Sequence, residues 1–420
     1  MKPVFVSFSI FFFTFTVSTK AQIAFDYPPL NYSTAPLNND IEKLRIKLEK
    51  GESSLEFDDK FGYLPALLKA LNISAESQVL VFSKTSFQKE LISAKTPRAL
   101  YFNDENYVGM VNGSDTLELS AVDSQVGAVF YTLNQSKDEM PKIVRNNDDC
   151  LDCHSSVRTQ SVPGIVIRSI FLDKTDSLKT SVVNHRTPLN ERWGSWYVTG
   201  NSGSMKHLGN IINAKGQPQK SSNINSLKDY IKTDDYLKDS SDIAALMVFE
   251  HQAHMTNLIT RANFRTRVTL HRQKGINERN NAPENHISEF ALDEIRRNCE
   301  SMVKYLFFSE ETKLTDQISF NTDFAKAFYQ NSPRDSSGRF LKKIKGKDRL
   351  FEYPLSFMIY SKTFSALPAK AKEIIFGRMK GILTGKDKSE DFKHLSSEMK
   401  KDLLKILLET HSDFKLYFNK

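Results

Sequence analysis

Cysteine is scarce in this chain of 420 residues, which has 3 cysteines against 30 phenylalanines and 14 tyrosines. Three thiols cannot staple a small disulfide-stabilised fold, and they cannot serve several haems or an iron–sulfur cluster that needs four thiolates. Internal repeats, low-complexity tracts and long apolar runs are also missing after the first 21 residues. The remaining composition, 40% hydrophobic and 26% charged, is typical of a soluble globular protein with a sizeable core.

An apolar run stands at the N-terminus. Lys2 precedes the run Val4 to Val17, and the small residues Thr19 and Ala21 follow it. This order predicts a secretory signal peptide, residues 1–21, cleaved after about Ala21. The run is shorter than the roughly 20 residues that span a bilayer as a helix, and an uncleaved anchor is the alternative. We therefore expect a periplasmic or secreted bacterial protein with no membrane span in the mature chain.

The net charge is +8, and it falls to +6 when Lys2 and Lys20 leave with the signal peptide. Two basic clusters, Lys342 to Lys347 and Lys400 to Lys401, lack the interleaved aromatic residues of a nucleic-acid platform. We expect no nucleic-acid partner. The excess charge predicts either an ordinary solvated surface or a docking face for an acidic protein.

The pattern of apolar residues changes along the chain and predicts an α+β fold. Short β-rich runs in the first half predict a small antiparallel sheet, and helix-spaced apolar residues dominate from Ser241 onward. We divide the chain into a signal peptide (1–21), an N-terminal α/β region (22–145), a central region (146–285) and a C-terminal helical region (286–420). The predicted strands are Val79 to Phe82, Ala99 to Phe102, Tyr107 to Val111, Thr116 to Leu119, Val126 to Leu133, Gly164 to Phe171 and Gly194 to Thr199. The stretch Asn134 to Asp149 is polar and is expected to be irregular.

Two of the three cysteines lie in one five-residue window, Cys150-Leu151-Asp152-Cys153-His154. Two thiols at this spacing can bind the two vinyl groups of a haem as thioethers, while the adjacent imidazole reaches the iron. Shuffled chains of the same composition would contain the pattern in about 5 of 10,000 cases. A redox CxxC pair, a zinc site and a structural disulfide are the alternatives. The window predicts one covalently attached haem c, with Cys150 and Cys153 as anchors and His154 as the iron ligand.

This window resembles the haem site of cytochromes c. The whole chain is similar to an uncharacterised group of secreted bacterial cytochrome-c-like proteins in three further segments, which are Arg192-Trp193-Gly194-Ser195-Trp196-Tyr197, Glu250-His251-Gln252 and Tyr353-Pro354-Leu355. The resemblance implies a secreted monohaem protein and implies no particular reaction. Unlike small cytochromes c, this chain has a long segment before the motif.

The ligand on the other side of the iron decides between electron transfer and chemistry at the iron. Four residues are candidates: Met205 and His207 in a glycine-flanked loop, His185 before the segment Trp193 to Trp196, and His251 on a predicted helix. His251 and His254 are three residues apart and are expected to share a helix face. An open position is the remaining alternative.

The sequence also gives expectations for the two tryptophans, three arginines and the third cysteine. Trp193 and Trp196 are expected either to wall the haem pocket or to pack in the core. Arg158, Arg168 and Arg192 could pair with haem propionates or lie on the surface. Cys299 sits on an apolar helix stripe and is expected to be a buried structural thiol.

Together these patterns predict an exported monohaem c-type cytochrome that transfers single electrons to or from a redox partner protein. Two alternatives remain. One is a peroxidase-like or oxidase-like haem enzyme with an open or displaceable distal position, and the other is a haem sensor or redox-complex subunit without catalysis. The length of the chain favours some role beyond simple electron carriage.

Overall fold

The computed structural model describes residues 25–146, 148–172, 177–211 and 223–420. The predicted signal peptide, residues 1–21, lies outside the described residues. The first half forms a six-stranded antiparallel sheet and the second half is mostly helical, which confirms the α+β class.

The helices are α1 (Asp40–Glu49), α2 (Leu64–Ala70), α3 (Asp148–His154), α4 (Ile243–Arg279), α5 (Glu289–Leu306), α6 (Thr322–Tyr329), α7 (Lys362–Ser365), α8 (Ala369–Leu383), α9 (Ser397–Thr410) and α10 (Ser412–Phe418). The strands are β1 (Val79–Val81), β2 (Arg98–Phe102), β3 (Asn106–Met110), β4 (Thr116–Asp123), β5 (Gly127–Asn134), β6 (Ile143–Arg145), β7 (Arg168–Leu172), β8 (Leu178–Val182), β9 (Ile344–Lys347) and β10 (Arg349–Phe351).

The sheet is a meander in which β1 to β6 pair in sequence order. Its longest pairing joins β4 and β5, from Thr116 opposite Asn134 to Asp123 opposite Gly127. Gly127 has φ of +75°, and a Cβ there would lie 2.6 Å from the Thr260 side chain. Glycine is therefore required where this hairpin meets α4. Two separate hairpins, β7–β8 and β9–β10, complete the described strands.

Helix α4 has 37 residues and is about 55 Å long at 1.5 Å per residue. Asp242 caps its N-terminus by accepting hydrogen bonds from the backbone amides of Ala244 and Ala245. Its first half is buried on all faces, as expected of a helix that crosses the centre of a large core. Helix α5 packs along α4, and α8 packs on α5.

One cluster of buried apolar side chains includes Leu80 of β1, Leu151 of α3, Phe249 of α4 and Leu403 of α9. Residues from all three predicted regions of the mature chain thus share one core. No helix within the described ranges is both long enough and apolar enough to cross a bilayer.

Two sequence predictions were wrong in detail. The stretch Gly194 to Thr199 is not a regular strand, because Ser195 has φ of +67° and the chain turns there, leaving only isolated bridges at Trp196 and Thr199. The stretch Asn134 to Asp149 is not wholly irregular, because it contains β6 and the start of α3. The hairpin strand β8 was not predicted, since its central side chains are polar and all five are exposed or half-buried.

Candidate functional site

The CxxCH window lies on the short helix α3, directly after the edge strand β6 of the sheet. Cys150 and Cys153 are three residues apart and therefore lie on one helix face, with His154 one turn from Cys150. Leu151 points the other way and is 4% exposed, so it anchors the helix in the core. Cys150 is half-buried and Cys153 is exposed, and neither forms a disulfide.

The His154 ring is oriented by a backbone carbonyl. Its Nδ1 lies 2.9 Å from the carbonyl oxygen of Gly164, and the amide of Gly164 donates to the carbonyl of His154 at 2.8 Å. Because a carbonyl only accepts, the proton of the neutral imidazole is on Nδ1 and the lone pair is on Nε2. A second-sphere bond of this kind is typical of histidines that ligate metals through Nε2.

Burial lowers the pKa of His154 to about 4, and the positive charges of Arg98 and Arg168 act in the same direction. The hydrogen bond to Gly164 and the charge of Glu118 oppose this shift. The imidazole is therefore neutral at pH 7 and has an unprotonated nitrogen available for a metal.

The segment that carries Gly164 is held by the long helix α4. Asn257, which is 1% exposed, donates to the carbonyl of Ile165 at 2.7 Å and accepts from the amide of Ile165 at 3.0 Å. A Cβ on Gly164 would lie 2.2 Å from Asn257 Oδ1, so only glycine allows this approach. His154, Gly164 and Asn257 thus form a continuous chain of contacts from the motif to α4.

A cavity of about 430 Å³ opens beside the motif, and Cys150, Cys153 and His154 all line it. Its volume falls within the range of about 300–1,000 Å³ found for cofactor and small-molecule sites. Most of its wall is apolar, and its aromatic lining residues are Phe87, Tyr107, Phe130, Tyr131, Trp196 and Phe249. The Phe130 ring centroid is 4.7 Å from that of His154.

The charged residues of the cavity are mainly basic. Arg98 forms an ion pair with Glu118 on the neighbouring part of the sheet, and Arg168, Lys84 and Lys89 also line the cavity. Within the described ranges the guanidinium of Arg168 has no carboxylate partner. Burial, followed by the charge of Arg158, lowers the pKa of Arg168. An anionic group inside this cavity would find cationic partners.

None of the four predicted sixth ligands is among the described residues that line this cavity. His185 and His251 instead contact each other, with 2.9 Å between their Nδ1 atoms, and both stack on Tyr305. His207 is 3% exposed and packs edge-on against Trp193, while Met205 packs against the core.

A second buried network joins the three segments on which the family resemblance rests. Glu250 accepts hydrogen bonds from the guanidinium of Arg192 and from the indole of Trp193, the latter at 3.1 Å. His251 Nε2 is 2.7 Å from the hydroxyl of Ser356, which follows Tyr353-Pro354-Leu355. Burial raises the pKa of Glu250, and the charge of Arg192 opposes the shift. This network is separate from the cavity, although Trp196 and Phe249, which are close to it in sequence, line the cavity wall.

Trp193 and Trp196 lie in different places, one in the Glu250 network and the other at the cavity. Trp196 lines the cavity and donates to the carbonyl of Arg168 at 2.7 Å, whereas Trp193 belongs to the Glu250 network. Arg158 is exposed and Arg192 is buried.

Cys299 is 1% exposed on α5, and burial raises its pKa to about 12, so it is a structural thiol as expected. It does not line the cavity, and no group of three or more His, Cys, Asp or Glu side chains in the described part of the chain could hold a metal ion by itself.

Sequence reasoning missed Arg98, Glu118, Gly164 and Asn257. Arg98 and Glu118 meet because β2, β3 and β4 are adjacent, a register that no local pattern reveals. Asn257 and Gly164 are 93 residues apart in sequence.

Comparison of the chain with family models, with curated proteins and with solved structures gave no match. The function must therefore be argued from the site itself.

Proposed function

We propose that this protein holds one covalently attached haem c in the cavity beside α3 and acts as an exported one-electron transfer protein. The observation that carries the proposal is the position of His154. Its lone-pair nitrogen, two thiols on the same helix and a mostly apolar cavity of about 430 Å³ occur together.

The residues present fit the group. Cys150 and Cys153 would form the two thioether bonds, and His154 would be the iron ligand held by the carbonyl of Gly164. Arg168, which has no carboxylate partner among the described residues, would bind a propionate through charge-assisted hydrogen bonds. When bound, haem supplies a one-electron redox couple at its iron.

The polypeptide tunes this couple through its own contacts. The hydrogen bond from His154 to Gly164 strengthens the basicity of the imidazole, and the aromatic wall of Phe130 and Trp196 excludes water. Cys153 is exposed, so one edge of the site faces the surface, where a partner protein can approach. The basic residues Lys84 and Lys89 at this cavity favour an acidic redox partner.

A second candidate function is a haem enzyme or sensor with an open or displaceable distal position. The observation that favours it is the absence of His185, Met205, His207 and His251 from the described lining of the cavity.

Haem attachment is tested by producing the full chain in a bacterial periplasm with haem c maturation enzymes and measuring its intact mass. We expect the mass of one haem, which is retained in acidic acetone and lost in the Cys150→Ala/Cys153→Ala variant. Cys299→Ala is the matched control and keeps the haem. A wild-type protein without this mass would refute the proposal.

The two candidate functions differ in ligand binding. A six-coordinate electron carrier binds carbon monoxide slowly in the ferrous state, whereas an open site binds it rapidly. His154→Ala is expected to change the ferrous absorption spectrum, while the exposed His271→Ala is not. Rapid carbon monoxide binding by the wild type would favour the enzyme or sensor.

A further inference from the structure

The connection between β1 and β2, residues 82–97, is long for two adjacent antiparallel strands. It has 16 residues from the end of β1 at Val81 to the start of β2 at Arg98, whereas hairpin loops usually have about 2–5. Six of the nine residues 83–91, here called the tip, line the cavity beside the CxxCH motif. A long connection without secondary structure of its own is commonly a lid over a binding site.

The tip is attached at both of its ends. Before it, the amide of Phe82 donates to the carbonyl of Ser195 at 2.9 Å. After it, Ile92 is 1% exposed and belongs to the interior. Between these two points no residue of the tip is buried. The tip can therefore move as a unit between fixed ends, provided that its own contacts with the sheet are released.

Those contacts depend on one carboxylate of β4. Oε1 of Glu118 accepts hydrogen bonds from the hydroxyl of Ser86 at 2.9 Å and from the side-chain amide of Gln88 at 3.2 Å. The same amide also donates to the carbonyl of Thr116 at 3.2 Å. Within the described ranges, these are the hydrogen bonds that join the tip to the protein outside this connection. Glu118 therefore holds the tip against the sheet.

The carboxylate of Glu118 is itself held in place. Its other oxygen, Oε2, pairs with the guanidinium of Arg98, and the two side chains are 18% and 22% exposed. Arg98 crosses β3 over Gly109, the residue opposite Glu118 in the sheet, and a Cβ there would lie 2.5 Å from Nη2 of Arg98. Glycine leaves the space that the arginine occupies. The acceptor for the tip is thus a fixed part of the cavity wall.

The apolar side chain of the tip lies at the rim of the cavity. Phe87 lines the cavity and is nevertheless 63% exposed. An aromatic ring that is mostly in water is stabilised when it moves onto apolar surface, and Phe130 and Trp196 supply such surface inside the same cavity. An inward movement of the tip over an apolar occupant would therefore be favourable.

We propose that the tip is a lid that controls access to the cavity, with Glu118 holding it closed and Phe87 covering an apolar occupant. Loss of the hydrogen bonds from Ser86 and Gln88 opens the lid. The inference rests on the proposed function for the identity of the occupant, because the lid regulates the same cavity. The contacts that hold the lid involve none of the residues that would anchor the haem.

Trypsin cleavage after Lys84 measures opening of the lid in the holoprotein, because a protease needs a segment that can leave the surface. Glu118→Ala leaves the sequence of the lid unchanged and should speed this cleavage at least about tenfold, since it removes hydrogen bonds to a charged group. Cleavage after the exposed Lys95, beyond the lid, is the internal reference and should not change. Equal rates at Lys84 in both proteins, or an equal rise at Lys95, would overturn the proposal.

Ser120→Ala is the matched control on the same strand. Ser120 also lines the cavity, but its hydroxyl has no hydrogen-bond partner within the described ranges. We expect this variant to be cleaved after Lys84 at the wild-type rate. Cleavage as fast as in Glu118→Ala would show that any change in the wall loosens the tip, which contradicts the role of Glu118.

Access to the cavity is measured without haem, on the full chain produced without haem maturation enzymes. Iodoacetamide modifies Cys150, which is half-buried in the cavity, and Cys153, which is exposed and serves as the reference. The Ser86→Ala/Gln88→Leu variant should raise the ratio of modified Cys150 to modified Cys153 at least about tenfold. Thermal unfolding curves verify that each protein is folded.

An unchanged ratio in the folded variant would refute the lid. A wild-type chain that never attaches haem would refute the proposed function instead, and the modification ratio would still decide whether the lid exists. The two failures are therefore distinguishable.

Discussion

Asn257 is a buried side chain that holds the loop that orients His154, and replacing it with alanine should reveal how much it contributes to stability. The change removes both hydrogen bonds to Ile165, a residue that is 7% exposed. The amide and the carbonyl of Ile165 would then be buried without partners, at about 1–3 kcal/mol each. We therefore expect the free energy of unfolding to fall by about 2–6 kcal/mol, a large part of the roughly 5–15 kcal/mol typical of a domain.

The measurement is denaturant-induced unfolding of the wild type and the variant. Their free energies of unfolding are compared after checking that both proteins have the same slope of free energy against denaturant concentration. Asn298→Ala is the matched control, because Asn298 is half-buried on α5 and bonds only within its own helix. We expect the control to change stability by less than about 0.5 kcal/mol. If Asn257→Ala costs no more than Asn298→Ala, the loop is held by other contacts and the argument fails.

Two further predictions concern buried ionisable groups. Burial lowers the pKa of His207 from 6.5 to about 4, so its contribution to stability is fully present above pH 6.5 and is lost as the pH falls towards 4. His207→Asn keeps an acceptor for the Gly209 amide but cannot be protonated in this range. It should therefore reduce the slope of the unfolding free energy against pH by up to about 1.4 kcal/mol per pH unit between pH 6.5 and 4. An unchanged slope would contradict this prediction. Arg192→Met leaves the Glu250 carboxylate buried without its partner and should cost about 3–5 kcal/mol in denaturant unfolding, with a smaller loss in the Arg192→Met/Glu250→Gln double variant. The exposed Arg296→Met control should cost less than about 1 kcal/mol, and equal losses for Arg192→Met and this control would refute the role of the pair.

Local sequence patterns predicted the elements whose type is set by the periodicity of their own apolar residues. Alternating β-branched and aromatic residues marked β1 to β5, and the apolar stripe around Cys299 marked α5. The strand predicted at Gly194 to Thr199 failed because Ser195 has φ of +67° and because Trp196 and Tyr197 are buried without regular strand pairing. Aromatic content alone does not separate a strand from a buried irregular loop.

The candidate site was predictable only at Cys150, Cys153 and His154. Their spacing is local, and all three line the cavity. The predicted sixth ligands depended instead on which distant side chains would approach a haem bound there. His185 and His251 meet each other, 66 residues apart, because both pack on Tyr305, a contact that is invisible in the sequence.

Four consecutive residues on one turn of α4 contribute to four different environments in the protein. Phe249 lines the cavity beside the motif, Glu250 binds Arg192, His251 contacts His185, and Gln252 lines a cleft between α2, the turn from β2 to β3, and α6. Successive residues of a helix are rotated by about 100°, so four of them point in four directions around the axis. The insertion or deletion of a single residue before this turn would exchange every one of these environments for its neighbour's. Substitutions at this turn can therefore be tolerated one by one, whereas a change in its helical register would disrupt the cavity, the ion pair and the cleft together.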